Sequence, residues 1–314
     1  MTLNYIHNHK DFQDLILIIA NEMSISPILV EKDYWIMHCL YGLQKQGLDF
    51  QMKGGTSLSK GFKLINRFSE DIDILITPPQ NRTVYVGRNQ DKSNQRQSRF
   101  EYYNWLAEYI HIDGIQKVER DTIFDDEKYR SGGIRLFYKS TYHNPHDVKE
   151  GILLEVGFDD ITPNTPKTIS SWVYDYAVGK IDIIDNRAKE VLCYHPGYTF
   201  VEKLQTISTK FRKQQGQGVF SENFMRHYYD IYCLLKSPEI HNFIGSNEYI
   251  EHKNKRFRSG DNPIINQNEA FLLTDYDIRG QYEREYNLSQ SLYYKEKPTF
   301  SEILDLINQN LRLL

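Results

Sequence analysis

The chain has 314 residues, with 38 Lys and Arg against 42 Asp and Glu and a formal net charge of −4, a balance that excludes a surface uniformly adapted to coat nucleic acid. Apolar residues make up 40% and aromatic residues 13% of the chain, ample for a large core in one or two domains without covalent staples. Three scattered cysteines, Cys39, Cys193 and Cys233, lack metal-ligand spacing and suit a reducing cytoplasm, and with no signal peptide and no apolar run of about 18 residues no membrane span is expected.

Helical periodicity runs from about Asp11 to Met23 and from Pro27 to Gln46, where Ser26 and Pro27 suit an N-cap and a first turn. Phe50-Gln51-Met52-Lys53 alternates as a strand, Gly54-Gly55-Thr56-Ser57 reads as a tight turn, and Leu58, Phe62, Leu64 and Ile65 recur at helical spacing. A second strand, Asp71-Ile72-Asp73-Ile74-Leu75-Ile76, follows. Pro78 to Ser98 is rich in Gln, Asn, Ser and Arg with almost no apolar residue after Val86, and is expected to be a mobile loop that orders on substrate binding. A helix from about Asn94 to Ile110 comes next. Short strand-like runs near Gly114–Val118, Ile134–Tyr138, Ile152–Phe158, Ile169–Tyr174 and Ile181–Ile184 predict a mixed sheet. The periodicity then turns helical over Thr199–Arg212, Phe220–Leu235 and Phe300–Leu311, with Ser246–Asn268 expected as a surface loop. The fold class is therefore α/β (α+β), a mixed sheet flanked by helices in residues 1–190 and a mostly helical region in residues 191–314.

Chemistry concentrates between residues 53 and 76. Glycines let backbone N–H groups approach an anion, and the hydroxyls of Thr56 and Ser57 can donate, so Gly54, Gly55, Thr56 and Ser57 suit a triphosphate. The segment is neither a Walker loop nor a Gly-x-Gly-x-x-Gly fingerprint, and an ordinary turn has the same composition. Asp71 and Asp73 project from one strand face and repel unless neutralised, which a hard divalent cation, Mg²⁺ or Mn²⁺, does. A solvated strand edge is the other reading, and Ile72, Ile74, Leu75 and Ile76 argue instead for a buried strand.

Lys53-Gly-Gly-Thr-Ser-Leu-Ser-Lys60 followed by Arg67-Phe-Ser-Glu-Asp-Ile-Asp73 resembles the first motif of the AbiEii/AbiGii toxin family of nucleotidyltransferases, a branch of the DNA polymerase beta-like superfamily. The gap from Gly55 to Asp71 is longer than is usual in that superfamily, and a longer helix is expected to fill it. Three further segments extend the resemblance: Val30-Glu31-Lys32-Asp33-Tyr34-Trp35-Ile36, Thr199-Phe200-Val201-Glu202-Lys203-Leu204 and Arg226-His227-Tyr228-Tyr229-Asp230-Ile231.

The resemblance implies a nucleotidyltransferase fold and attack by a hydroxyl on the α-phosphate of a nucleoside triphosphate, with release of pyrophosphate and two clamping ions. It implies that Lys203 neutralises phosphate, a surface lysine being the alternative, and that Asp230 is a site aspartate, acting directly or holding Lys203 or Arg226, with an i,i+4 salt bridge to Arg226 as the alternative. Arg67 or Ser69 braces the loop or touches phosphate. His227 is either a general base or a packed histidine. A third metal-facing carboxylate is expected, and Glu155, alone in the apolar run Gly151–Phe158, is the candidate, with Asp159 and Asp160 in reserve. Glu31, Lys32 and Asp33 line the site or pair charges across their helix. Lys203 and Asp230 from the second domain would complete the site.

The resemblance further implies a toxin of a bacterial toxin–antitoxin or phage-defence pair, a cognate antitoxin, and RNA, in particular the 3′ acceptor end of tRNA, as acceptor. Nucleotidylation of a protein or small molecule, and a non-catalytic nucleotide- or RNA-binding module, are the other readings. Three basic stretches are candidates for RNA phosphate contacts or for solvated faces: Arg82, Arg88, Lys92, Arg96 and Arg99; Lys210, Arg212 and Lys213; and Lys253, Lys255, Arg256 and Arg258.

Overall fold

The computed structural model describes residues 3–142, 149–221, 223–288, 293–295 and 297–314. The chain divides into two compact units, one comprising the residues up to Phe62 together with Phe68–Tyr194, the other Lys63–Arg67 with His195–Leu314.

In the first unit, helices α1 (Phe12–Met23) and α2 (Pro27–Lys45) precede strand β1 (Phe50–Lys53), a helical turn α3 (Gly54–Thr56) and strand β2 (Asp71–Ile76). Helix α4 (Ser93–Tyr109), strands β3 (Ile115–Asp121), β4 (Ser131–Tyr138), β5 (Ile152–Gly157) and β6 (Asn164–Ile169), helix α5 (Trp172–Ala177) and strand β7 (Ala188–Tyr194) complete it. The seven strands form one sheet in the order β3-β4-β5-β2-β1-β7-β6. It is mixed: β2/β5 and β1/β7 run parallel, and the other neighbouring pairs antiparallel. Burial follows the period-2 pattern, with Ile72, Ile74 and Ile76 of β2 inside, and Ile72 level with Leu154 of β5, which lies level with Ile134 of β4.

The charged start of α2 lies inside the unit. Glu31 accepts from the Thr141 N–H at 3.1 Å and from the Ser140 hydroxyl, Lys32 donates to Glu70 at 3.3 Å, and Asp33 pairs with Lys60 and accepts the Trp172 N–H at 2.8 Å. These charges serve other elements and do not pair across their own helix.

The second unit is built from α6 (Pro196–Gln217), α7 (Arg226–Leu235), α8 (Pro238–Phe243), α9 (Asn247–Arg256), α10 (Glu269–Leu272), α11 (Tyr276–Leu288) and α12 (Phe300–Asn310). Pro196 opens α6 at a position where a missing N–H costs nothing, and Phe200, Val201, Leu204 and Ile207 form its buried stripe. The connector Lys63–Arg67 is held within this unit: the Asn66 N–H donates to the Tyr229 hydroxyl at 3.3 Å, and the Tyr294 hydroxyl donates to the Ile65 carbonyl at 3.1 Å.

Several expectations from the sequence give way to local geometry. The helix expected after the glycine turn stops early, because α3 continues only as a π-turn over Ser57–Gly61 and Lys63 then adopts a φ of 56°. Leu64 and Ile65 consequently lie on a connector without regular secondary structure. The strand expected over Ile169–Tyr174 ends at Ile169, where Ser171 accepts the Tyr174 N–H at 3.1 Å and starts α5. Ile181–Ile184 makes only an isolated bridge, Asn4 to Ile183, and the actual strand is β7. Its alternation is masked in the sequence by Lys189 and Glu190, the latter at a φ of 55°. Ser246 caps the unexpected helix α9 by accepting the Tyr249 N–H at 3.2 Å, with Tyr249 and His252 as its buried residues. The helix expected from Phe220 begins at Arg226.

The polar run Pro78–Ser98 is tied down rather than loose. Arg99, fully buried, donates to the carbonyls of Tyr85 at 2.7 Å and Gln90 at 2.8 Å, and Arg130 donates to those of Val86 and Gly87, each at 2.9 Å. Two arginines thus satisfy backbone groups that a free loop would give to water.

Leu154→Ala removes a fully buried side chain from the middle of the sheet. It should cost about 2–5 kcal/mol in chemical denaturation, whereas Ile123→Ala, at a position 88% exposed, should leave the midpoint essentially unchanged.

Candidate functional site

The parallel pairing of β2 with β5 puts Asp73 level with Glu155 and Asp71 level with Leu153. Side chains level with each other on adjacent strands share a face, and so do residues i and i+2. Asp71, Asp73 and Glu155 therefore belong to one sheet face; Asp71 is buried and the other two half-buried.

The glycine turn meets this face directly. Gly54 has a φ of +74°, and a Cβ built on it would fall 1.9 Å from Asp73 Oδ2, so both backbone conformation and space demand glycine there. Thr56 donates its hydroxyl to the Asp71 carbonyl at 2.6 Å, bracing the turn against the start of β2. Gly55 and Ser57 are buried beside it, as is Ser69.

Positive charge neutralises the face in part. Lys149 lies 3.1 Å from Asp71 Oδ2, while Asp71 Oδ1 is buried with no hydrogen-bond partner. The Lys149 N–H also donates to Glu70 at 3.0 Å, and Glu70 takes the ammonium of Lys32 as well. Burial pushes the Lys32 ammonium below its ordinary value, against the pull of Glu70 and Asp71. Three carboxylates on one face with a buried, unsatisfied oxygen form a donor set suited to a hard divalent cation. Lys149 belongs to none of the motifs, and the only signal for it in the sequence is a lysine just before an acid-bearing strand. Asp159 and Asp160 lie beyond β5 and are exposed: Asp159 pairs with Lys53 at 3.1 Å, and Asp160 accepts from the Thr162 hydroxyl at 2.6 Å.

In the second unit, Arg67 grips Asp230 in a two-point pair, Nε to Oδ1 and Nη2 to Oδ2 each at 2.7 Å, and Lys203 Nζ reaches Oδ2 at 2.6 Å. All three are buried. Burial alone would raise the Asp230 carboxyl, but the two cations outweigh it and hold it at about 2. Arg67 is raised in turn by Asp230 against the effect of burial. Burial pushes the Lys203 ammonium below its ordinary value, and the like charges of Arg67 and Arg226 add to that against the pull of Asp230. Arg67 and Lys203 thus share the Asp230 carboxylate. Asp230 does not pair with Arg226; its bonds are those of a residue that positions Lys203.

His227 is buried deeply enough that its imidazole stays neutral, an effect reinforced by Lys203, Arg226, Lys210 and Arg67 around it. His227 Nδ1, Arg226 Nε and Thr199 Oγ1 are all buried without a hydrogen-bond partner. The basic stretches are partly spent on internal bonds: Arg99 as described, Arg82 over the Trp105 ring at 4.5 Å, Arg212 with Asp261 at 2.8 Å and Arg256 with Glu202 at 3.4 Å.

A family model described as nucleotidyl transferase AbiEii toxin, type IV toxin–antitoxin system, matches residues 38–306. No curated protein matches the chain. Among solved structures, the crystal structure of an antigenic nucleotidyltransferase-like protein from Paracoccidioides brasiliensis is similar at 14% identity over 72% of this chain and 87% of that one, with a TM-score of 0.34. That likeness is too slight to carry an argument.

Gly54→Ala should lower stability by about 1–2 kcal/mol through the left-handed backbone alone, and by more through the collision with Asp73, read as a fall in thermal midpoint. Asp230→Asn leaves two buried cations short of a counter-charge and should cost about 3–5 kcal/mol near neutral pH. The Asp230 carboxyl is lower in the folded chain, at about 2, than its ordinary 3.8, so its contribution is complete above that ordinary value and lost as pH falls towards the folded one. The gap between wild type and Asp230→Asn in denaturation midpoints should accordingly narrow between those two pH values.

Proposed function

The chain belongs to the AbiEii nucleotidyltransferase toxin family of type IV toxin–antitoxin systems, and from that premise we propose that it transfers a nucleoside monophosphate from a nucleoside triphosphate to RNA, at the 3′ end of tRNA, with Mg²⁺ or Mn²⁺ as cofactor. The observation that supports this most is Asp73 level with Glu155, with Asp71 two residues along and Gly54 seated against the Asp73 carboxylate.

In this reading Asp71, Asp73 and Glu155 hold the metal, which when bound polarises the α-phosphate and favours the deprotonated acceptor hydroxyl. The acceptor oxygen forms a bond to the α-phosphorus as the bond to the β-phosphate oxygen breaks, the hydroxyl proton is lost to water, and pyrophosphate departs. Gly54 and Gly55 keep backbone N–H groups open to phosphate, and the buried Ser57 hydroxyl adds a donor; Thr56, engaged with the Asp71 carbonyl, braces the turn. Lys149 fills the charge requirement of Asp71 until a cation takes that place. Lys203, aligned by Asp230, which Arg67 holds in turn, has the chemistry to neutralise a phosphate group. Arg67 acts through Asp230, and Ser69 helps shape the approach to β2.

Family membership implies a nucleoside triphosphate substrate and an antitoxin partner. Among the described residues no single helix is long and apolar enough to cross a membrane, and we place the activity in the cytoplasm, where charged tRNA is used.

The test is incubation with total bacterial tRNA, Mg²⁺ and each α-³²P nucleoside triphosphate in turn, with gels separating RNA from protein. Label should enter tRNA from one nucleotide, and Asp73→Ala and Lys203→Ala should each lower the rate by about 10²-fold or more. Label on protein would move the acceptor to a polypeptide. Nucleotide binding without any transfer would overturn the catalytic reading.

A further inference from the structure

A second set of metal-ligating side chains in the first unit belongs to none of the motifs above. His7 lies on a short 3₁₀ turn (Ile6–Asn8), His38 on α2 and Asp113 in the turn between α4 and β3. One ligand atom from each lies within 4.8 Å of the other two. Both imidazoles present the same nitrogen to Asp113: His7 Nε2 is 2.8 Å from Asp113 Oδ1, and His38 Nε2 is 2.9 Å from the Asp113 carbonyl.

The opposite ring nitrogens are held from behind. His7 Nδ1 is 2.7 Å from the Tyr34 hydroxyl, His38 Nδ1 is 2.8 Å from the Asn186 amide, and that amide is 3.0 Å from the same Tyr34 hydroxyl. As the chain stands, both Nε2–H groups donate to Asp113; a metal ion would take the place of those two hydrogens, with the ring protons moved to Nδ1 and the Asn186 amide turned over so that its oxygen accepts from His38 Nδ1–H and from the Tyr34 O–H, which in turn accepts from His7 Nδ1–H. Both Nε2 lone pairs then face the Asp113 turn. This is the outer arrangement that fixes the tautomer of metal-binding histidines.

The surroundings agree with it. Gly114 has a φ of +76°, and a Cβ there would lie 2.6 Å from the Trp35 ring and 2.9 Å from His7 Nε2, so the turn carrying Asp113 packs closely on His7. Both ring side chains are nearly fully buried, whereas Asp113 is 55% exposed and offers a way in from solvent. Burial holds both imidazoles in the neutral form a metal needs, His38 down to about 4 with help from its neighbour His7.

We propose that His7, His38 and Asp113 form a site for one Zn²⁺ ion, which pins the N-terminal segment to α2 and to the turn before β3. Two imidazoles and one carboxylate suit Zn²⁺, which draws in its ligands to about 2.1 Å and keeps an open position beside three protein ligands. The Asp71, Asp73 and Glu155 face, all oxygen, suits Mg²⁺ instead. The site stands on its own geometry and is independent of the transferase reading.

The experiment is calorimetric titration of the tag-free, full-length protein with Zn²⁺ in excess Mg²⁺, with thermal melts alongside. One equivalent should bind and raise the thermal midpoint. His38→Gln and Asp113→Asn should each weaken Zn²⁺ binding, and Tyr34→Phe, a change behind the ligand, should weaken it by about 10-fold or more. Asp113 is exposed, so Asp113→Asn tests the ligand set even where His38→Gln fails to fold. Asp73→Ala should leave the Zn²⁺ titration unchanged. Absence of stoichiometric binding, or binding that survives Asp113→Asn and His38→Gln but is lost in Asp73→Ala, would overturn the proposal.

Discussion

Three carboxylates cannot share one face of a half-buried sheet unless positive charge is brought to them, and much of the first unit is arranged around that constraint. The parallel register of β2 and β5 sets Asp73 level with Glu155 and leaves Asp71 at the buried end of the strand. Lys149 answers Asp71, and Lys32 answers Glu70, the residue just before the strand. Lys32 comes from α2, whose opening charges would be costly to bury without these partners. The glycine turn belongs to the same constraint, since any side chain at Gly54 would enter the volume occupied by the Asp73 carboxylate.

The second unit poses the opposite problem. Arg67 and Lys203 share Asp230, and Arg226 Nε and Thr199 Oγ1 are buried without hydrogen-bond partners. Buried donors without partners are what an anion satisfies. A neutral His227 beside these cations avoids adding a further charge.

Regular local patterns were readable before the fold. The alternation of β2, the mixed sheet, α2 with Pro27 in its first turn, and the long helices near Thr199 and Phe300 follow from periodicity, although Ser26 at the start of α2 makes no side-chain capping bond. The misreadings have local causes of a different kind. A left-handed residue ends the helix after the glycine turn, a serine cap converts an apparent strand into α5, and another serine starts α9 in a polar stretch. The run from Pro78 to Ser98 has the composition of a loose loop, but buried Arg99 and the guanidinium of Arg130 satisfy its backbone. Composition reports what a segment cannot bury by itself, not what a distant arginine can do for it.

By itself the sequence determined the parts that depend on neighbours in the chain: a glycine pair after a strand, two aspartates at strand spacing, a lysine and an aspartate on helical motifs, and the family these motifs mark. Tertiary structure alone decided which charges meet. Lys149 reaches Asp71 across 78 residues, and Arg67 rather than the nearby Arg226 takes Asp230 across 163. The physical reason is that a buried charge is satisfied by whichever partner the packing brings within about 3 Å, and sequence spacing sets that distance only within one helix or strand.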